Sequence, residues 1–237
     1  MYQNGKKFQW ASLLAAFGLL LGTFLSSTPA QADYASESKA LVSKALLTFE
    51  DFAADPQMSA FRNLVKKSRG ILICPEVFKG AFVLGASGGS GVLIARQGAN
   101  APWAGPSFYT LGELSFGLQA GADVSEVILL AMTERGVTAF LGNSFKLGGN
   151  VSIAAGPVGG GVSADTANLS ADILSFSMAK GLYGGISLNG SVVAVREGLN
   201  DAYYKKEVRP SDILIRQDVK NPQADELIAA VEKMAGR

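Results

Sequence analysis

The stretch from residue 70 to residue 195 constrains the fold most, because it holds most of the glycines and few of the charges. Short apolar and β-branched runs alternate there with glycine-rich turns, a pattern typical of β-structure. Glycines inside strands mark bends, bulges or close backbone approach. We therefore expect a strongly curved or barrel-like antiparallel sheet of many short glycine-rich strands. The predicted strands cover residues 71–74, 81–87, 91–96, 108–111, 115–122, 125–133, 146–155, 158–164, 173–179, 184–188 and 191–195.

Helices are predicted on both sides of this sheet region. Apolar side chains recur at helical spacing within residues 33–69, at Val42, Ala45, Leu46, Phe49 and Phe52. Asp55 and Pro56 are suited to begin a second helix, with Asp55 as its N-cap. Further helices are expected over 134–142, over 198–206 and from Asn221 to Lys233. The predicted class is α+β, with N-terminal and C-terminal helices flanking the sheet.

Residues 1–32 have the pattern of a secretory signal peptide. Lys6 and Lys7 precede an uncharged apolar stretch over 11–25, and an Ala-Gln-Ala tripeptide at 30–32 suits the cleavage enzyme. We expect cleavage before Asp33, which leaves one domain over 33–237 in an exported, periplasmic or secreted protein. The alternative is a retained membrane anchor, because residues 8–25 are just long enough to span a bilayer.

The composition excludes several classes of site. The chain has no histidine, and Cys74 is its single cysteine, so a histidine-based triad, a His/Cys zinc site and an intramolecular disulfide are ruled out. A net charge of +1 gives no general attraction to nucleic acid. The glycine runs at 88–91 and 156–161 match no phosphate-loop motif, so we interpret both as turns between strands.

Carboxylates are the remaining candidates for chemistry. The candidates within residues 70–195 are Glu113, Asp123, Glu126, Asp165 and Asp172, and a close pair among them would suit a hydrolase. Turn and strand-surface roles fit their positions better. We predict no catalytic residue, no metal site and no cofactor.

A basic cluster is the most informative local feature. It consists of Arg62, Lys66, Lys67, Arg69 and Lys79, opposed within these 18 residues by Glu76 alone. Basic residues next to amphipathic helices are typical of proteins that dock on anionic bilayers. An ordinary solvated helix end is the alternative, since basic residues also favour that position.

The basic cluster needs apolar help to hold a membrane. Four net charges contribute about 4 kcal/mol, which corresponds to roughly millimolar binding. Side chains that insert into the bilayer would add to this, and the candidates are Phe49, Phe52, Met58 and Phe61. The same side chains could equally belong to the core.

Six segments, in order, resemble the SYLF lipid-binding domain family. The first is SRGILICPEVFKGAF at 68–82, followed by PSFY at 106–109, SFGLQAG at 115–121, FKLG at 145–148, AAGPVG at 154–159 and KGLYGGISL at 180–188. Eukaryotic members of that family bind phosphoinositides through basic residues and an amphipathic N-terminal helix, and some bundle actin. For an exported chain of bacterial type, the resemblance implies binding to an anionic lipid or a related amphiphile, and it brings no catalytic motif. Lys66, Lys67, Arg69 and Lys79 fall where the family's basic contacts are expected.

Two functions therefore remain open from the sequence. The first is an exported module that docks on anionic phospholipid through the basic cluster and the N-terminal helices. The second is a non-enzymatic structural or protein-interaction domain of the cell envelope, with an unknown protein partner.

Overall fold

The computed structural model describes residues 30–81, 84–116, 121–159, 170–179, 182–184 and 188–236. Within these ranges the fold is α+β, with a sheet that curls into a half-barrel and helices towards both ends of the chain, which confirms the predicted class. The predicted signal peptide falls almost wholly outside the described residues. No described helix is both long and apolar enough to cross a membrane. The helices are α1 (Ala30–Ala54), α2 (Ser59–Lys67), α3 (Glu134–Ala139), α4 (Glu197–Tyr204) and α5 (Asp225–Met234).

The strands pair almost entirely in antiparallel fashion. The described strands are β1 (Gly70–Ala81), β2 (Leu84–Ala95), β3 (Ala104–Phe116), β4 (Gly121–Ala131), β5 (Ser144–Lys146), β6 (Ile153–Ala155), β7 (Ile173–Ala179), β8 (Leu182–Gly184) and β9 (Val192–Val195). Their order is β5-β9-β3-β2-β1-β4-β7-β6, and β8 also pairs with β7. β6 runs parallel to β7, so the sheet is mixed and not wholly antiparallel as expected.

The first four strands are longer than predicted, and in β2 the reason is a glycine run that lies inside the strand. Residues 88–91 form the middle of β2 and not a turn. A Cβ atom at Gly89 would lie 2.2 Å from the carbonyl oxygen of Glu76, and one at Gly91 would lie 2.5 Å from the sulfur of Cys74. β1 shifts register between Ile73 and Glu76 at this point. These two glycines therefore allow the strands to approach closely at a bulge.

Each face of the sheet carries its own core. Ile71 and Ile73 of β1 pack with α1, α2 and α5, while Leu72 and Cys74 pack on the opposite face. This alternation follows from the two-residue period of a strand. These three helices are thus held against one face of the sheet, and any site they form lies on that side.

The four proposed membrane-inserting side chains lie in the core. Phe49, Phe52, Met58 and Phe61 are each at most 1% exposed. The Phe61 ring contacts Phe49, Phe52 and Phe176 at centroid distances of 6.1, 5.7 and 5.2 Å. The core alternative therefore holds for all four, because the apolar stripes of α1 and α2 are used to cover the sheet.

Asp55 and Asn221 are N-caps as predicted, and each caps a short 3-10 turn, Pro56–Met58 or Pro222–Ala224, that leads directly into α2 or α5. Asp55 Oδ1 accepts a hydrogen bond of 2.7 Å from the amide of Gln57, next to Pro56. Asn221 Oδ1 accepts one of 3.1 Å from the amide of Gln223 before α5. Both side chains satisfy amides that a helix start leaves unpaired. The connection between α1 and α2 is therefore a defined turn.

Candidate functional site

An open groove of about 750 Å³ lies where α1, α2 and α5 meet. Its apolar lining comes from Phe49, Ala53, Ala230 and Met234, and its basic lining from Arg62, Lys66 and Lys233. Glu50 is the one carboxylate among its described lining residues. We call this the basic groove. Its combination of apolar floor and cationic rim suits an anionic amphiphile.

Arg62 is held in place by the end of α1. Its Nη1 donates to the carbonyl oxygens of Ala53, at 3.1 Å, and Asp55, at 2.6 Å. The last carbonyls of a helix have no partner within the helix, and a guanidinium satisfies them with favourable charge. Arg62 therefore stabilises the α1–α2 turn and at the same time fixes a cation at the groove.

Arg96 contacts the backbone at the C-terminal end of α2. Its side chain is buried, with Nε donating to the carbonyl oxygen of Ser68 at 2.9 Å and Nη2 to that of Lys66 at 2.7 Å. The guanidinium also stacks 4.9 Å from the ring centroid of Trp103. Arg96 thereby fixes the backbone that carries Lys66 at the rim of the basic groove.

The predicted basic cluster is not one surface. Arg62 and Lys66 share the basic groove, whereas Lys67 is exposed but does not line it. Arg69 lies beside Glu134, with 3.9 Å between Nη1 and Oε2. Lys79 lies near the far end of β1, and nine residues of strand at about 3.3 Å each place it about 30 Å from Gly70. The sequence predicted one cluster because the five residues are close along the chain. In the structure β1 carries Lys79 away from the helices.

Lys233 is the rim residue that the sequence did not reveal. It lies in the last turn of α5, more than 160 residues after Lys66, and joins the groove because α5 packs on α1 and α2. A lysine in the last turn of a helix is ordinary, since it favours the helix dipole. No local sequence signal identifies Lys233 as a groove residue. It can be identified only from the way in which α5 packs.

Two of the candidate carboxylates, Asp172 and Glu126, have structural partners. Asp172 is buried and accepts hydrogen bonds from Thr133 at 2.7 Å and from the Ser152 amide at 3.0 Å, which joins β7 to α3. These bonds, that from Thr133 foremost, lower the pKa of Asp172. Glu126 accepts a bond of 2.8 Å from Thr48. The side chain of Glu113 and all of Asp165 lie outside the described residues.

Other reactive groups are few in the described part of the chain. Cys74 is fully buried, and burial raises the pKa of its thiol to about 12, so it is a poor nucleophile. The described residues contain no group of three or more Cys, Asp or Glu side chains that could hold a metal ion. The basic groove is therefore the feature best suited to bind a ligand.

Comparison with known proteins identifies the family. A family model described as "Ysc84: Las17-binding protein actin regulator" matches residues 112–234. SH3 domain-containing YSC84-like protein 1 of Homo sapiens is 32% identical over 167 residues, which cover 70% of this chain and 48% of the relative. Its Xenopus laevis counterpart is 33% identical over 168 residues, covering 70% and 50%. Protein YSC84 of Saccharomyces cerevisiae is 30% identical over 189 residues, covering 78% and 39%.

The chain spans about half the length, or less, of these curated relatives. The family model nevertheless covers more than half of the chain, and four of the six segments that resemble the SYLF family lie within the residues it matches. This chain belongs to the Ysc84 family, also called the SYLF family, as its sequence indicated.

Proposed function

We propose that this domain binds anionic phospholipid through the basic groove. The supporting observation is the joining of Arg62, Lys66 and Lys233 around an apolar floor, with Glu50 as the one opposing carboxylate of the described lining. A phosphate group would pair with the rim cations, and the apolar part of the same lipid would lie on the floor. The binding surface is thus smaller than the sequence predicted and includes a residue from the C-terminal helix.

Charge alone does not give useful affinity. A net charge of two at the groove contributes about 2 kcal/mol near an anionic membrane, at about 1 kcal/mol per basic residue. Micromolar binding needs about 8 kcal/mol. The difference has to come from apolar contact, at about 25 cal/mol per Å² buried. Because the four phenylalanine and methionine candidates lie in the core, the groove floor at Ala230 and Met234 takes that role.

Co-sedimentation with vesicles tests the proposal. The full chain is mixed with phosphatidylcholine vesicles with and without phosphatidylglycerol, at low and high salt. The double variant Lys66→Glu and Lys233→Glu changes the groove by four charges, or about 4 kcal/mol. We expect the partition coefficient of this variant to fall by two to three orders of magnitude. Lys206→Glu, at an exposed lysine after α4, is the matched control and keeps its binding.

The outcomes separate the site from the function. Wild-type binding that requires anionic lipid and weakens with salt supports the proposal, because salt screens exposed charges. Equal binding by the double variant refutes the groove as the site. No binding by the wild-type chain in either salt refutes the lipid function.

We also propose that the protein is exported and loses residues 1–32. The apolar stretch and the Ala-Gln-Ala tripeptide at 30–32 support this. Cleavage before Asp33 keeps the ion pair between Glu37 and Arg196, which ties the start of α1 to the end of β9. The intact mass of the protein, isolated from cells that express the full chain, gives the mature N-terminus. A mass that retains residues 1–32 contradicts this proposal.

A further inference from the structure

Exposed apolar side chains occur on α1 and on the sheet beside it. Among the described residues, the large apolar side chains that stay exposed are Tyr34, Leu47, Phe78, Val124 and Val192. The last three lie on the sheet and the first two on α1. Contiguous exposed apolar surface marks interaction sites in soluble proteins.

The three sheet residues lie in one row that crosses five strands. Phe78 of β1 pairs with Val124 of β4 on one side and with Gly88 of β2 on the other. Gly88 pairs with Gly112 of β3, which pairs with Val192 of β9. Residues that pair directly across strands share a face of the sheet. The row therefore forms one surface, with two glycines between two apolar ridges.

α1 runs beside this row and forms a wall. Phe78 lines a cavity of about 320 Å³ together with Ala40 and Lys44 of α1, so the row lies on the helix-covered face. Glu37 pairs with Arg196, directly after β9, and Lys44 pairs with Glu76 of β1 at 2.9 Å. With Thr48 bonded to Glu126 of β4, α1 crosses the strands in the same direction as the row. We call the row and this flank of α1 the sheet channel.

Gly88 and Gly112 are not required by the packing of the sheet. A Cβ atom at Gly88 would meet nothing nearer than the Leu111 carbonyl oxygen at 3.6 Å, and one at Gly112 nothing nearer than the Ser87 carbonyl oxygen at 3.9 Å. Both are ordinary contacts, in contrast to the 2.2 Å clash at Gly89. Their effect is to leave the floor of the sheet channel without side chains.

We propose that the sheet channel binds an amphipathic α-helix of a partner protein, lying alongside α1. Phe78 and Val192 are three strand spacings apart along the row, about 14 Å, which matches about nine or ten residues of a helix that lies along it. From Val124 to Val192 the row spans about 19 Å, which matches about 13 helical residues. Two anchors three or four residues apart would contact Phe78 and Val124, and a third anchor nine or ten residues along the helix from the Phe78 anchor would contact Val192.

The shape of the sheet channel favours a helix over a membrane surface. A packed helix stands about 10 Å above the sheet that it covers, so a flat bilayer resting on α1 would not reach the row beside it. The charges give the bound helix a direction. Lys146 pairs with Val192 and extends the row at the β5 end, whereas Asp51 lies near Glu126 at the β4 end. The partner helix should therefore carry an acidic residue towards Lys146 and a basic one towards Asp51.

The binding of two designed peptides of equal composition to the full chain tests this inference. One has leucines at helical spacing with glutamate at one end and lysine at the other, and the second has the same residues in scrambled order. We expect fluorescence anisotropy to give at least tenfold tighter binding of the amphipathic peptide. On its addition the amide signals of Gly88 and Gly112 should shift.

Filling the floor provides the decisive variant. Gly88→Leu should weaken peptide binding at least tenfold, whereas Gly98→Leu, at a glycine with open space around it, should leave it unchanged. Gly88→Ala serves if the leucine variant does not fold. Equal binding by the filled variants, or no preference for the amphipathic peptide, overturns the proposal. It is also overturned if Gly88→Leu abolishes self-association of the chain or vesicle binding instead, because the occupant is then a second copy or lipid.

Discussion

Two neighbouring glycines of β2 differ in whether the packing of the sheet leaves space for a side chain. Gly89 lies opposite the bulge of β1, where any side chain would overlap the Glu76 carbonyl group. The preceding residue, Gly88, has room for a methyl group. Gly89 is therefore required by the close approach of β1 and β2. Gly88 is not required by packing, and its lack of a side chain leaves the floor of the sheet channel open.

Alanine at each position should reveal this difference. Gly89→Ala forces β1 and β2 apart and should lower the free energy of unfolding by about 2 kcal/mol or more, the scale of overpacking in a tight site. Gly88→Ala should change it by less than about 0.5 kcal/mol, and any gain comes from the less flexible unfolded chain. Urea unfolding of the two variants measures both. Similar losses at the two positions would contradict this account of β2.

Arg96 makes a second prediction at the scale of one residue. Its buried guanidinium donates to the carbonyl oxygens of Lys66 and Ser68. Arg96→Met keeps much of the apolar stem but leaves these carbonyls without the charged donor. Hydrogen bonds to charged groups contribute about 1.5–3 kcal/mol, so we expect a loss of about 3 kcal/mol in urea unfolding. Lys206→Met, at an exposed position, is the control and should stay within about 0.5 kcal/mol of the wild type.

Contact between α1 and β4 should depend on pH. Burial raises the pKa of Glu126, with a further rise from Asp51, although the hydrogen bond from Thr48 opposes both. The folded state thus holds this proton more tightly than the unfolded chain does. The stabilisation is fully present below the unfolded pKa and is lost as pH rises through the folded one.

Glu126→Gln tests this contact between the two elements. An amide cannot ionise, so the free energy of unfolding should fall less steeply between pH 4.5 and neutral pH than in the wild type. Urea titrations at a series of pH values measure the slope. Asp172 does not contribute to this slope. Its pKa is lowered, so its effect on the free energy of unfolding has the opposite sign and falls below its ordinary pKa of 3.8. An unchanged slope in Glu126→Gln would exclude this carboxyl as the source.

Elements that depend on local signals could be predicted from the sequence, and the others could not. The helices followed from apolar periodicity, and Asp55 and Asn221 begin helices as predicted. Strand lengths were underestimated because a glycine in a long strand looks like a turn unless the opposing bulge is known. The same limit applies to the candidate site. Arg62 and Lys66 are neighbours on one helix, but Lys233 reaches them through tertiary packing alone.

At the scale of the whole molecule, α1 separates two surfaces of different chemistry. One flank of α1 packs towards α5, where Gln223 Nε2 donates to Ser43 Oγ at 3.3 Å, and borders the basic groove. The other flank, with Ala40 and Lys44, borders the sheet channel. Because α1 lies between them, the proposed lipid and the proposed partner helix would not compete for the same surface. In that arrangement the domain would link a membrane surface to a protein.

Independence of the two surfaces can be measured with a double-mutant cycle. Lys66→Glu with Lys233→Glu should reduce vesicle binding and leave affinity for the amphipathic peptide unchanged, whereas Gly88→Leu should do the reverse. Because the altered side chains lie on opposite flanks of α1 and share no partner, the combined variant should show the sum of the separate effects within about 0.5 kcal/mol. Vesicle co-sedimentation and peptide anisotropy on the four proteins complete the cycle. A larger coupling would mean that α1 moves when either surface is occupied. The domain would then be a switch between the two ligands and not a link between a membrane and a protein.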